Sequence, residues 1–174
     1  PVVAFTGSYA ELDGGGLFDA HPRTWGKPGW ERLAEACEQV ARAAARTILI
    51  HPHARHVVSD VPGIRHFAST IAASHPARFG LLLDPVAMLE PGHLARHDAD
   101  DAIARVLEDV GTLGLPVAAI VAAAPVVVGD SVRPEALTRG GTDATARRFA
   151  VAARAVGAPI VLVDRADVAL DAWA

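Results

Sequence analysis

Several side chains that could bind a metal ion follow two short apolar segments of this sequence. His51 and His53 come after the segment 47–50, and Asp84 comes after the segment 80–83. Imidazole nitrogens and carboxylate oxygens at the ends of adjacent strands suit Mn, Fe, Co or Zn. The pattern therefore predicts a divalent-metal site. The alternative is that the histidines form local hydrogen bonds and that Asp84 caps the loop that follows it.

A basic and aromatic segment lies upstream of these residues. Residues 21–25 include Arg23 and Trp25, and Arg55 closely follows His53. An arginine guanidinium group binds oxyanions through two parallel hydrogen bonds, and a tryptophan ring stacks on the apolar face of a sugar. These residue types predict a loop that closes over a polyol or a phosphate. The alternative is an ordinary surface loop anchored by its tryptophan.

The elements that must position these residues alternate along the chain. Short apolar runs rich in β-branched residues predict strands that are buried on both faces, and apolar residues at helical spacing lie between them. The predicted strands are 2–5, 47–50, 80–83, 117–121 and 160–163, and the predicted helices are 30–45, 64–74, 100–113 and 142–156. We expect one α/β domain over residues 1–174 with parallel strands and with its polar chemistry at the strands' carboxyl ends.

Two architectures fit this order of elements, an open doubly wound sheet and part of a (β/α)8 barrel. No Gly-x-Gly-x-x-Gly sequence follows a predicted strand, which argues against dinucleotide binding.

The composition limits the class of protein. Hydrophobic residues make up 51% of the 174 residues and charged residues 21%, which is typical of a globular domain. The net charge of −4 without a basic block argues against nucleic acid as a partner, and no apolar run is long enough to span a membrane. The one cysteine, Cys37, lies at an apolar position of a predicted helix, which favours a buried thiol and a reducing, cytoplasmic location.

Three segments carry a resemblance to a known family. They are Ile-Leu-Ile-His-Pro-His at 48–53, Leu-Leu-Asp-Pro-Val-Ala-Met-Leu at 82–89 and Arg-Gly-Gly-Thr-Asp at 139–143. These segments are similar to the fifth-strand Glu-x-His motif, the sixth-strand Leu-Asp-Pro motif and the turn before the last helix of the xylose-isomerase-like TIM barrels, the sugar phosphate isomerase/epimerase superfamily. The resemblance implies a partial (β/α)8 TIM barrel that contains strands four to eight.

The resemblance also implies a site. Members of the family hold a divalent metal with Glu, Asp, His and Glu on strands five to eight, and they move a proton between adjacent carbons of a sugar. In this sequence Asp84 matches the Asp, His51 stands at the first Glu, and Val163 stands at the last Glu with Asp164 beside it. The implied roles are metal binding by Asp84, His51 and Asp164, catalysis by His51 and Asp84, and substrate binding by His53, Arg23, Trp25 and Arg55.

Three functions follow from these observations. The first is a metal-dependent isomerase or epimerase that acts on a small sugar or polyol. The second is a catalytically inactive relative that binds a ligand or a partner, because the positions that match the seventh-strand motif, 121–124, are Val-Ala-Ala-Ala. The third is an unrelated α/β binding module.

A partial barrel would also leave two apolar edge strands, 2–5 and 160–163. We therefore expect a homo-oligomer or an additional N-terminal segment to cover the open edges.

Overall fold

The structure is a computed structural model, and it describes residues 1–43, 45–94, 99–137 and 143–163. The strands are β1 (Val2–Phe5), β2 (Ile48–His51), β3 (Phe79–Leu83), β4 (Val117–Ala122), β5 (Ala124–Val128), β6 (Ser131–Glu135) and β7 (Ile160–Leu162). The helices are α1 (Lys27–Ala43), α2 (Val61–Thr70), α3 (Pro91–Leu94), α4 (Ala99–Glu108) and α5 (Asp143–Val156). Short 3₁₀ helices cover Tyr9–Asp13, Pro22–Thr24, Ala72–Ser74 and Val110–Thr112. No helix in the described part of the chain is both long enough and apolar enough to span a bilayer.

Five strands form a parallel sheet that alternates with helices along the chain, which confirms the predicted α/β class. The strand order is β1-β2-β3-β4-β7, and the register pairs Phe5 with His51 at the carboxyl end of β1 and β2. The order of the strands across this sheet is the same as their order along the chain, so it contains no reversal. A doubly wound sheet reverses its strand order at the ligand-binding crevice. The sheet therefore does not have the doubly wound order.

The chain divides into two compact units. The first contains Pro1–Leu82 and Thr112–Ala118, and the second contains Leu83–Gly111 and Ala119–Ala174. The single domain over residues 1–174 remains a prediction.

The core of the first unit forms where α1 and α2 bury one face each. In α1 the buried residues Gly29, Leu33, Cys37 and Ala41 recur every four positions, which places them on one side of the helix. The helix α2 begins after Asp60, whose Oδ1 accepts a hydrogen bond from the backbone N–H of Gly63 at 2.7 Å. The ring of Phe67 packs edge-to-face against that of Phe79, with their centroids 5.4 Å apart.

In the second unit α4 and α5 pack together. Ile103 of α4 and Phe149 of α5 are almost completely buried. A hydrogen bond of 2.7 Å joins the Thr145 hydroxyl to Oδ1 of Asp100 and connects the two helices. The apolar stripes that predicted these helices are therefore the surfaces that form the core.

An antiparallel hairpin, β5–β6, was missed by the sequence analysis. It joins Ala124–Val128 to Ser131–Glu135 through a two-residue turn, in which Gly129 has a φ of 61°. A tight hairpin turn needs a positive φ at its first central residue, and glycine adopts one without strain. The Gly-Asp pair directly after the valine-rich run 126–128 was the available signal.

Two predicted helices were too long at their carboxyl ends. The helix predicted at 64–74 begins at Val61 and ends at Thr70, and the one predicted at 100–113 ends at Glu108. In both cases the apolar pattern continues into a 3₁₀ helix, Ala72–Ser74 or Val110–Thr112. Periodicity alone does not separate these tighter turns from the helix that precedes them. Residues 139–142, which belong to the third family-like segment at 139–143, lie outside the described residues.

The outer strands of the sheet are β1 and β7, as the sequence predicted. Val2 and Val3 of β1 are exposed, and all three residues of β7 are exposed, with Leu162 at 68%. Both strands thus present apolar side chains to solvent, so the predicted burial on both faces is wrong for β1 and β7.

Candidate functional site

A cluster of aromatic and histidine rings lies at the carboxyl ends of β1 and β2, within the first unit. The ring of Phe5 stacks on that of His51, its partner in register, with centroids 4.8 Å apart and planes at 23°. Phe18, from the loop after β1, contacts Phe5 edge-to-face at 5.5 Å and stacks on His56 at 5.2 Å. His53 lies 4.8 Å from both Phe18 and His56. The sheet register therefore brings together histidines from the segment 51–56 and phenylalanines from an earlier part of the chain.

Backbone hydrogen bonds fix the turn that carries these histidines. The N–H of His53 donates to the carbonyl of Val58 at 3.1 Å, and the N–H of His56 donates to the carbonyl of His53 at 2.9 Å. The N–H of Val58 in turn donates to the hydroxyl of Thr6, which follows β1, at 3.0 Å. The turn is thus closed on itself and attached to the end of the neighbouring strand.

His56 lies at the centre of this cluster and is fully buried. Its Nε2–H donates to the carbonyl oxygen of Leu17 at 3.2 Å, and its Nδ1 is buried with no hydrogen-bond partner among the described residues. Burial lowers the pKa of His56 to about 4, although the bond to Leu17 opposes this shift and the nearby His51 adds to it. At neutral pH the ring is therefore uncharged and serves as a structural core residue.

Of the four residues predicted to bind substrate, three lie on connected segments. The indole Nε1–H of Trp25 donates to the carbonyl of Ala54 at 3.2 Å, which attaches Trp25 to the turn between His53 and Arg55. Trp25 remains 40% exposed. The Nδ1 of His53 accepts a hydrogen bond from the backbone N–H of Arg55 at 3.1 Å, so the neutral ring carries its proton on Nε2.

The side chain of Arg23, the fourth predicted substrate-binding residue, contacts the ring of Tyr9. Its guanidinium carbon lies 5.7 Å from the centroid of the Tyr9 ring, in a cation–π contact. The backbone N–H of Arg23 donates to Nδ1 of His21 at 3.2 Å. The His21 ring also stacks on the Tyr9 ring, with their centroids 5.4 Å apart. The side chain of Arg23 thus forms part of a small surface cluster with Tyr9 and His21.

Asp84 belongs to the second unit, directly after β3, and is 4% exposed. Its Oδ1 accepts hydrogen bonds from the backbone N–H groups of Val86 at 3.0 Å and Ala87 at 3.2 Å. This is the capping geometry that the sequence analysis gave as the alternative to metal binding. One carboxylate oxygen is therefore engaged in organising the turn after the strand.

The predicted metal centre on Asp84, His51 and Asp164 is not tested by the described residues and remains a prediction. Within residues 1–43, 45–94, 99–137 and 143–163, no group of three or more His, Cys, Asp or Glu side chains is arranged to hold a metal ion. Asp164, the third predicted ligand, lies outside the described residues. The hydrogen bonds of Asp84 to two backbone amides account for one of its oxygens without a metal.

Comparison with known proteins returned no relatives. Neither a protein-family model, nor a curated protein, nor a solved structure matches this chain. The resemblance to xylose-isomerase-like barrels remains a prediction from the three sequence segments.

Proposed function

We propose that this chain binds a small sugar or polyol at the carboxyl ends of β1 and β2, as a catalytically inactive relative of the xylose-isomerase-like barrels. The observation that carries the proposal is the hydrogen bond from Trp25 to Ala54. It places a partly exposed indole ring against the turn that presents His53 and Arg55. An aromatic ring beside a few directed hydrogen-bond donors is the usual composition of a site for a small polar ligand.

Each of the three residues has a specific task in this proposal. The indole of Trp25 packs against the apolar C–H face of the ligand. His53 has Nδ1 engaged by the backbone N–H of Arg55, so its Nε2–H donates to a ligand hydroxyl. The guanidinium group of Arg55 binds two oxygen atoms of the ligand at once.

The sheet supports the relationship to barrels. Its strands follow one another in sequence order without a reversal, which is the order of consecutive strands in a (β/α)8 barrel. In such barrels ligands bind at the carboxyl ends of the strands, where Trp25, His53 and Arg55 lie in this chain.

The same residues argue against isomerase chemistry. Moving a proton between adjacent carbons requires a positioned base, and the family uses carboxylates for this purpose. His51 and Val163 stand at two of those carboxylate positions, and His51 stacks flat on Phe5. Asp84, which does match the family, uses Oδ1 to cap a turn.

Titration of the protein with a panel of aldoses, ketoses and polyols, followed by two-dimensional NMR, tests the proposal. We expect at least one compound to shift the resonances of residues around Trp25 and His53. Trp25→Ala and Arg55→Gln should each weaken that binding by several-fold to about tenfold. Arg23→Gln is the matched control, because Arg23 lies on the same loop but contacts Tyr9. Binding that is lost in Arg23→Gln but kept in Trp25→Ala, or no binding at all, would contradict the proposal.

A metal-dependent isomerase or epimerase is the second candidate, because the Asp84 carboxylate is buried at a strand's carboxyl end. In that case Asp84, His51 and Asp164 would hold Mn, Co, Fe or Zn. Elemental analysis of protein purified without a tag or chelator separates the two functions. Near-stoichiometric metal that disappears in Asp84→Asn, together with turnover of a ketose, would establish the isomerase, whereas we expect neither.

A further inference from the structure

We infer that the first unit has a second small-molecule site, which takes an apolar α-amino acid. A cavity of about 380 Å³ lies between α1 and the segment that follows β1. This volume falls within the range of ligand pockets in proteins. The cavity is not lined by Trp25, His53 or Arg55, so the two sites can be tested independently of each other.

The apolar part of the cavity is formed by side chains from three separate elements. Phe5 comes from the end of β1, Leu33 from α1, and Val57 from the turn after β2. Leu33 and Val57 are buried, and Phe5 is held in place by its ring contacts with His51 and Phe18. A ligand with a branched aliphatic or aromatic group would remove this surface, and its own, from water.

Two opposite charges line the same cavity. Arg32 projects from α1 one residue before Leu33, and the carboxylate of Glu11 lies over Gly7, with Oε2 3.9 Å from the position a Cβ would take there. Neither side chain forms an ion pair in the part of the chain that the structure describes. The cavity thus offers one cation and one anion beside an apolar surface.

This combination selects a class of ligand. A carboxylate group pairs with the guanidinium fork of Arg32 through two hydrogen bonds, and an ammonium group donates to Glu11. A molecule with only one of these charges would leave the other protein charge without a partner, so it gains less on binding. An α-amino acid with an apolar side chain satisfies both charges and the apolar surface together.

The walls of the cavity are fixed before any ligand binds. The hydroxyl of Ser8, itself buried, donates to the carbonyl of Asp19 at 2.9 Å, and the N–H of Tyr9 donates to the hydroxyl of Thr24 at 2.9 Å. The first turn of α1 is packed so closely on Thr24 that a Cβ at Gly29 would lie 2.1 Å from its carbonyl oxygen. Preformed walls reduce the ordering cost of binding.

The test compares three probes of nearly equal apolar size by calorimetry and NMR. L-Leucine carries both charges, 4-methylpentanoate only the carboxylate, and 3-methylbutylamine only the ammonium. We expect L-leucine to bind and to shift the resonances of residues 5–12, with each singly charged probe about tenfold weaker or more. Equal binding of leucine and either singly charged probe, or no binding of leucine, would overturn the inference.

Variants on the surface of the protein complete the test. Arg32→Gln and Glu11→Gln should each weaken leucine binding by about tenfold, since each removes one charged partner. Glu35→Gln is the control, because Glu35 is exposed on the same helix and does not line the cavity. All three positions are exposed, so NMR spectra should retain the native pattern. Unchanged affinity in Arg32→Gln, or an equal loss in Glu35→Gln, would assign any leucine binding to another surface.

Discussion

The Nε2–H group of His56 donates a hydrogen bond to the carbonyl oxygen of Leu17, which lies 39 positions earlier in the chain. The bond crosses from the turn after β2 to the loop after β1. It fixes the tautomer of a ring that is packed against Phe5 and Phe18 and buried from solvent. The position of the loop and the charge state of the histidine are therefore linked.

Acidification should weaken the fold through His56. Its folded pKa of about 4 lies below the value of 6.5 for the free side chain, so the unfolded chain binds a proton first as the pH falls. The contribution of His56 to the free energy of unfolding is therefore constant above about pH 6.5 and falls between pH 6.5 and 4. The total loss is roughly 3 kcal/mol, at about 1.36 kcal/mol per unit of pKa shift. Urea unfolding at several pH values measures this slope.

His56→Gln should remove most of that slope, because the amide donates to Leu17 and does not titrate. The groups that face His56 are His51, His53 and the two phenylalanines, so His66→Gln, on the exposed side of α2, serves as the control. A slope that persists in His56→Gln would show that another group is responsible.

The thiol of Cys37 should be unreactive in the folded protein. Burial raises its pKa to about 11, so little thiolate forms at neutral pH, and the side chain faces the core side of α1. Alkylation by iodoacetamide, followed by mass spectrometry, should be slow in buffer and fast in denaturant. The double variant Cys37→Ala/Ala43→Cys, with its thiol on an exposed position of the same helix, should react quickly in both. Rapid native labelling of Cys37 would contradict the buried assignment.

Replacing Gly29 should destabilise the first unit. The added methyl group of Gly29→Ala would meet the carbonyl oxygen of Thr24 at 2.1 Å, so the start of α1 must shift. Overpacking of this kind costs about 1–3 kcal/mol. Gly111→Ala is the control, because nothing lies within 4 Å of its Cβ position. Thermal unfolding of the two variants should separate them clearly, and equal melting temperatures would refute the close approach.

Asp84 should act on stability through its turn. Asp84→Ala leaves the buried N–H groups of Val86 and Ala87 without their acceptor, at a cost of about 1–3 kcal/mol. Asp84→Asn retains the side-chain carbonyl oxygen and should cost much less. Denaturant unfolding of both variants in the presence of a chelator measures the difference. If the two variants lose the same stability, the negative charge matters more than the two hydrogen bonds.

The strands and most helices were predictable because burial on both faces, or on one helical face, leaves a direct pattern in the sequence. Ile48, Leu49 and Ile50 of β2 are buried, and so are the apolar positions Leu33 and Cys37 on α1. The segment 2–5 is also a strand as predicted, but Val2 and Val3 are exposed. The hairpin β5–β6 was missed because the sequence analysis assigned no element to the valine-rich run after β4. Its signal was local, in Gly129 and Asp130.

The site was predicted less well, because its contacts join distant parts of the chain. The bond of Trp25 to Ala54 spans 29 positions, and no local pattern indicates it. Arg23 and Arg55 each follow a histidine by two positions, and this local sequence does not reveal the cation–π contact of Arg23 with Tyr9. For Asp84, sequence reasoning stated both capping and metal binding, and the capping could be recognised only from the positions of two backbone amides.

The unreversed strand order has a consequence for synthesis of the chain. Because β1, β2, β3, β4 and β7 are neighbours in the order in which they leave the ribosome, the sheet can grow at one edge only. No strand has to be inserted between two that have already paired. A doubly wound sheet, in contrast, starts at its centre and must extend in both directions. Vectorial translation therefore matches the assembly order of this sheet strand by strand.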